Sequence, residues 1–135
     1  MSIAWITRPA LAVWLAAGFA VLAHAGGYGD LVEPCGDTGT EEELQRCIDD
    51  HHKLVQERVD KLLDVLYERY REDEPALASL LESSQESWTQ FATDKCEVQN
   101  YYSRGGTAYE VYIQACTVEQ LRERERDLIW MVENP

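Results

Sequence analysis

The sequence predicts an all-α fold, an antiparallel three-helix bundle stapled by two disulfides. Three observations predict it. Apolar residues recur at spacings of three and four along three long segments. No stretch alternates apolar and polar residues well enough to read as a strand. Four cysteines, Cys35, Cys47, Cys96 and Cys116, stand close to the breaks between those segments, an even number that suits a small exported domain.

The N-terminus is read apart from the fold. Arg8 precedes the apolar run ALAVWLAAGFAVL, and AHA follows at Ala23–Ala25, so residues 1–25 read as a secretory signal peptide. The run is short for a bilayer span, and Gly26, Gly27 and Gly29 follow it instead of a positively charged stop, so no stable membrane anchor is expected after cleavage. Residues 26–135 then form a single domain with a modest core. Cleavage removes Arg8 and no acidic residue, taking the formal charge from −13 to −14. Such a chain repels nucleic acid and anionic lipid and attracts cationic partners.

Residues 26–39, rich in glycine and holding Pro34, form an irregular lead-in. Thr40 opens T-E-E-E, a capping-box pattern in which Thr40 caps the first free amides and Glu43 reaches back. From there Leu44, Cys47, Ile48, Leu54, Val55, Val59, Leu62, Leu66 and Tyr70 make one stripe down to about Arg71, a helix of roughly 45 Å at 1.5 Å per residue. Pro75 stops it and suits the first turn of the next helix. Leu77, Leu80, Leu81, Trp88, Phe91 and Cys96 mark that second helix, which runs toward Asn100. The stretch NYYSRGGTAY then breaks the pattern, and Gly105-Gly106 marks the turn. Val111, Tyr112, Ala115, Cys116, Leu121, Leu128 and Met131 carry the third helix. The charge run Arg122–Asp127 reads as its solvated face, with Glu119–Arg122 and Glu123–Arg126 as weak i,i+3 pairs.

This layout selects the cysteine pairing. Gly106 lies midway between Cys96 and Cys116, so antiparallel helices meeting there bring the two cysteines to matching heights. Cys35 lies just outside the first helix cap, within chain reach of Cys47. The expected bridges are therefore Cys35–Cys47 and Cys96–Cys116.

No catalytic group, metal or cofactor is expected. In Asp49–His52 the adjacent side chains diverge by about 100° on a helix, and the i+4 partners of His51 and His52 are Val55 and Gln56, which supply no second ligand. His51 and His52 are the only histidines after residue 25, too few for a bundle-type site with Glu-x-x-His on two helices. There is no G-x-S-x-G nucleophile motif, and the cysteines are committed to bridges.

Tyr67, the S-W-T-Q-F segment leading to Cys96, the G-G-T-A-Y-E-V-Y-I-Q-A-C segment ending at Cys116, and Arg124-x-x-x-Leu128 together resemble the LprI-like lysozyme-inhibitor domain. The resemblance covers about Cys35 to Leu128. One position departs from it: Ala92 stands where that family commonly has arginine. The resemblance implies a periplasmic or secreted helical protein that binds and blocks a lysozyme, often a strongly basic enzyme. The −14 charge is compatible with such a target. The candidate partner-binding residues are Tyr101, Tyr102, Arg104, Gly105, Gly106 and Thr107, a cationic aromatic tip facing the two carboxylates that flank a scissile sugar bond. A periplasmic partner-binding or immunity protein without lysozyme affinity is the alternative, and exposed tyrosines are compatible with a homodimer.

Overall fold

The computed structural model describes residues 35, 36 and 38–135. The expected signal peptide and most of the lead-in lie outside the described residues. Three long helices follow in order: α1 (Glu41–Asp73), α2 (Pro75–Gln99) and α3 (Tyr109–Glu133), with a single 3₁₀ turn at Tyr101–Ser103. No strand occurs among the described residues.

Each boundary has a local cause. Thr40 has extended backbone angles, and its Oγ1 accepts a hydrogen bond from the Glu43 amide at 3.2 Å, satisfying one of the free donors of the first turn. Glu43 does reach back, but to the amide of Gly39 at 3.0 Å instead of that of Thr40. Helix α1 runs two residues past the expected end. Glu74 then serves both helices: its amide donates to the Tyr70 carbonyl at 2.8 Å, and its own carbonyl accepts from Leu77 and Ala78 at 2.9 and 3.1 Å. Pro75 takes the first helical position of α2, where its missing N–H costs no hydrogen bond. Along α2, the hydroxyls of Ser79, Ser87, Thr89 and Thr93 each donate to the carbonyl four residues earlier, at 2.9–3.1 Å.

Successive helices run antiparallel, so α1 and α3 run parallel and form the main seam of the bundle. Contacts between them climb in step: the Gln45 side-chain amide donates to Gln114, Arg58 faces Glu125 at 3.7 Å, and Arg69 donates to the Val132 carbonyl at 3.1 Å. Val59, Leu66 and Leu128 are fully buried, in a cluster with Val55, Leu63, Leu81 and Leu121. A smaller cluster of Cys35, Ile48, Ala115 and Val118 lies toward the α1 N-terminus.

The predicted stripes are only partly buried. Leu54, Leu80, Phe91 and Tyr112 are exposed, although each falls at helical spacing from core residues. Leu63 and Ala92 join the core instead. The charge run on α3 is not wholly solvated either, since Arg124 within it is buried. Glu123 and Glu125 reach Lys95 of α2 and Arg58 of α1, both at 3.7 Å, so part of that charged face ties helices together.

Both disulfides form as expected. Cys35–Cys47 and Cys96–Cys116 have Cα–Cα separations of 5.8 and 5.7 Å, within the usual range for a bridge. Among the described residues no cysteine is free. Because α1 starts where α2 ends and α3 begins, both bridges fasten the same end of the bundle.

Candidate functional site

At that fastened end the chain between α2 and α3 forms an exposed tip. Asn100 is buried and ends α2, its side-chain amide donating to the Cys96 carbonyl at 2.9 Å. Its own carbonyl accepts from the Ser103 amide at 2.9 Å, which closes the 3₁₀ turn. Arg104 (φ −55°, ψ 132°) and Gly105 (φ 80°) then occupy the central positions of a type II turn, closed by a bond from the Gly106 amide to the Ser103 carbonyl at 3.0 Å. The last two positions of this turn explain the glycine pair. Gly105 sits where L side chains are strained, and a Cβ on Gly106 would stand 3.1 Å from the Ser103 oxygen.

Tyr102 is 100 % exposed and Tyr101 56 %, and their rings meet edge to face with centroids 5.6 Å apart. The Arg104 guanidinium lies 4.8 Å from the Tyr101 ring centre, a cation–π arrangement, and it pairs with the Glu97 carboxylate of α2. The Tyr109 hydroxyl donates to the same carboxylate oxygen at 2.9 Å. Gly105, Gly106 and Thr107 are exposed at the crest. The six predicted tip residues therefore share one projecting surface. Sequence reasoning missed Glu97, which anchors Arg104 of the tip and Tyr109 at the start of α3. An acidic residue one position after Cys96 carries no distinguishing signal in so acidic a chain.

Hydrogen bonds from Arg104 and then Tyr109 hold the Glu97 carboxyl below its ordinary value of 4.5. The same carboxylate raises the Arg104 guanidinium above its own. A depressed carboxyl favours the native state above its unfolded-state pKa, and that contribution is lost as pH falls through the folded-state value. Replacing Glu97 with glutamine is therefore expected to matter at neutral pH and to lose its effect in acid, below the ordinary glutamate range. Denaturant unfolding of both proteins across pH 3–7 checks this; a difference that grows toward acid would contradict it.

Tyr67, Trp88 and Arg124 of the motif lie away from the tip, on α1, α2 and α3 in turn. Arg124 of α3 is 5 % exposed. Its guanidinium sits 5.7 Å from the Trp88 ring centre of α2, and its Nε donates to Gln85 at 2.9 Å. Burial lowers the Arg124 pKa. Tyr67 of α1 is raised, first by burial and then by Glu82, while Arg124 acts in the opposite sense. These side chains bind the helices to one another: Arg124 is buried, and Tyr67 and Trp88 are half-buried against the core. Ala92 is buried on the inner side of α2, so the position lacking the usual arginine belongs to this helix interface and not to the tip.

His51 lies with Cys35 and Cys47 in a group whose potential ligand atoms fall within 4.8 Å of one another. Both sulfurs are spent in a disulfide, which leaves no thiolate to bind a metal.

Fold and tip together define a small disulfide-stapled helical module with an exposed turn at its bridged end. A family model described as "Lysozyme inhibitor LprI" matches residues 33–128, and the chain belongs to that family. No curated protein and no solved structure matches it. An inhibitor family agrees with the expectation of a non-catalytic role, and the family and the two bridges point to an extracellular or periplasmic setting. Among the described residues no helix is long and apolar enough to cross a membrane.

Proposed function

We propose that the chain is an exported inhibitor that binds and blocks a lysozyme or a related peptidoglycan hydrolase, using its acidic surface for encounter and the 101–107 tip for contact. The observation that carries this reading is the tip itself: exposed tyrosines and an arginine on a turn fastened by Cys96–Cys116 and Glu97. Tyrosine and arginine often dominate interface energy. A loop fixed before binding loses little conformational freedom when bound. The net negative charge speeds approach to a basic enzyme at low salt.

Tyr102 leads the contact and Arg104 stands behind it, shared between Glu97 and the partner's carboxylates. The decisive assay is lysis of a cell-wall suspension by a basic lysozyme, with and without the mature protein. Arg104→Glu is expected to weaken inhibition by at least about tenfold, or about 1.4 kcal/mol. Unchanged potency removes the tip from the mechanism. No slowing even by the unsubstituted protein at low salt favours the non-inhibitory partner-binding or immunity reading, and equal slowing by charge-matched acidic proteins reduces the effect to general electrostatics.

A further inference from the structure

The end of the bundle opposite the tip carries a second surface that the tip does not account for. Tyr70 of α1, Leu77, Leu80 and Leu81 of α2, and Trp130 and Met131 of α3 line a groove of about 300 Å³. That volume is at the lower end of the range for ligand sites and admits a large apolar side chain. Leu80 and Trp130 are each 64 % exposed and line the same groove, so their exposed apolar surface is gathered in one place instead of scattered singly. From Leu80 to Asn100 along α2 is about 30 Å at 1.5 Å per residue, so a partner at the tip does not cover the groove.

The charges beside it are predominantly negative. Glu72, Asp73 and Glu74 lie in the chain between Tyr70 and Leu77, and Glu133 follows Met131 by two residues; all four are exposed. The neighbouring cations are engaged: Arg71 pairs with Glu68 at 3.1 Å, and Arg69 donates to the Val132 carbonyl at 3.1 Å. An apolar groove with an acidic rim is complementary to an apolar side chain flanked by lysine or arginine. A second copy of this chain fits poorly, because it would bring another −14 charge, after loss of the signal peptide, against the same rim.

We infer that the groove between the start of α2 and the end of α3 is a docking site for a cationic amphipathic peptide segment. An apolar residue enters between Leu80 and Trp130, and its basic neighbours meet Glu72, Asp73, Glu74 and Glu133. This site is separate from the lysozyme-directed tip and holds whether or not the tip reading does.

Binding of a fluorescently labelled leucine/lysine helical peptide of about 18 residues, five helical turns, to the mature protein tests it. Leucine/glutamate and serine/lysine peptides of equal length are the controls. The leucine/lysine peptide is expected to bind at least about tenfold more tightly than either control, and Leu80→Ser to remove that advantage while Arg104→Glu leaves it. Leu80 is mostly exposed, so its replacement leaves the fold intact. Equal binding of the serine/lysine peptide, or no effect of Leu80→Ser, reduces the attraction to diffuse charge and overturns the inference. So does equal binding of the leucine/glutamate peptide. Sedimentation that shows a dimer broken by Leu80→Ser, with no peptide bound, assigns the groove to a second copy and overturns it as well.

Discussion

Replacing both Cys96 and Cys116 with serine is expected to cost about 3 kcal/mol of stability and to weaken inhibition at least about tenfold. The bridge closes a segment with a sequence separation of 20, and without it the unfolded chain regains the freedom that this closure removes. The native state also loses the fastening directly beneath Asn100, whose side chain holds the Cys96 carbonyl. The tip would then have to be ordered at the moment of binding, which subtracts from affinity. Replacing Cys35 and Cys47 is the informative comparison: their separation is 12, so the stability loss is similar in size, but the tip keeps its own support and inhibition persists. Urea unfolding and the lysis assay on both variants separate the two effects. If the Cys96/Cys116 variant lost stability yet kept its full potency, rigidity of the tip would be irrelevant to function.

Leu66→Ala is expected to cost about 3 kcal/mol, within the 2–5 kcal/mol span of such truncations in close-packed cores. Leu66 is 0 % exposed and shares its cluster with Leu128 and Val59, so no neighbour is free to fill the space. Leu54→Ala in the same helix is expected to change stability by less than about 0.5 kcal/mol, because Leu54 is 45 % exposed. Thermal or urea unfolding of the two variants checks the pair. Equal losses would mean that the α1–α3 seam is placed on the wrong face of α1.

That pair also shows how far the sequence could be read. Periodicity located all three helices, the symmetry of Cys96 and Cys116 about Gly106 located one bridge, and the short reach from Cys35 past the first helix cap to Cys47 located the other, because each depends on spacing along one chain. Spacing of three or four does not decide which strip of a 33-residue helix meets its neighbour. Leu54 and Leu66 fitted the same pattern, yet only Leu66 lies on the seam toward α3. The same ambiguity hid Arg124 inside a charged run: its burial depends on Trp88 and Gln85, which approach from α2. The tip was legible as a break in composition. Glu97 was not, since its role comes from Arg104 and Tyr109 folding back onto it.

Both sulfur bridges sit at the end that carries the tip, whereas the opposite end has no disulfide among the described residues and is held by side-chain packing, the Arg69–Val132 hydrogen bond and the short Glu74 connection. Restraint is thus graded along the long axis: covalent where the loop is displayed, noncovalent where Leu66, Leu81 and Leu128 meet. Heat or denaturant should splay the helices from the α1–α2 turn inward, with the display end the last to come apart. A partially opened molecule would accordingly still carry its loop in working order.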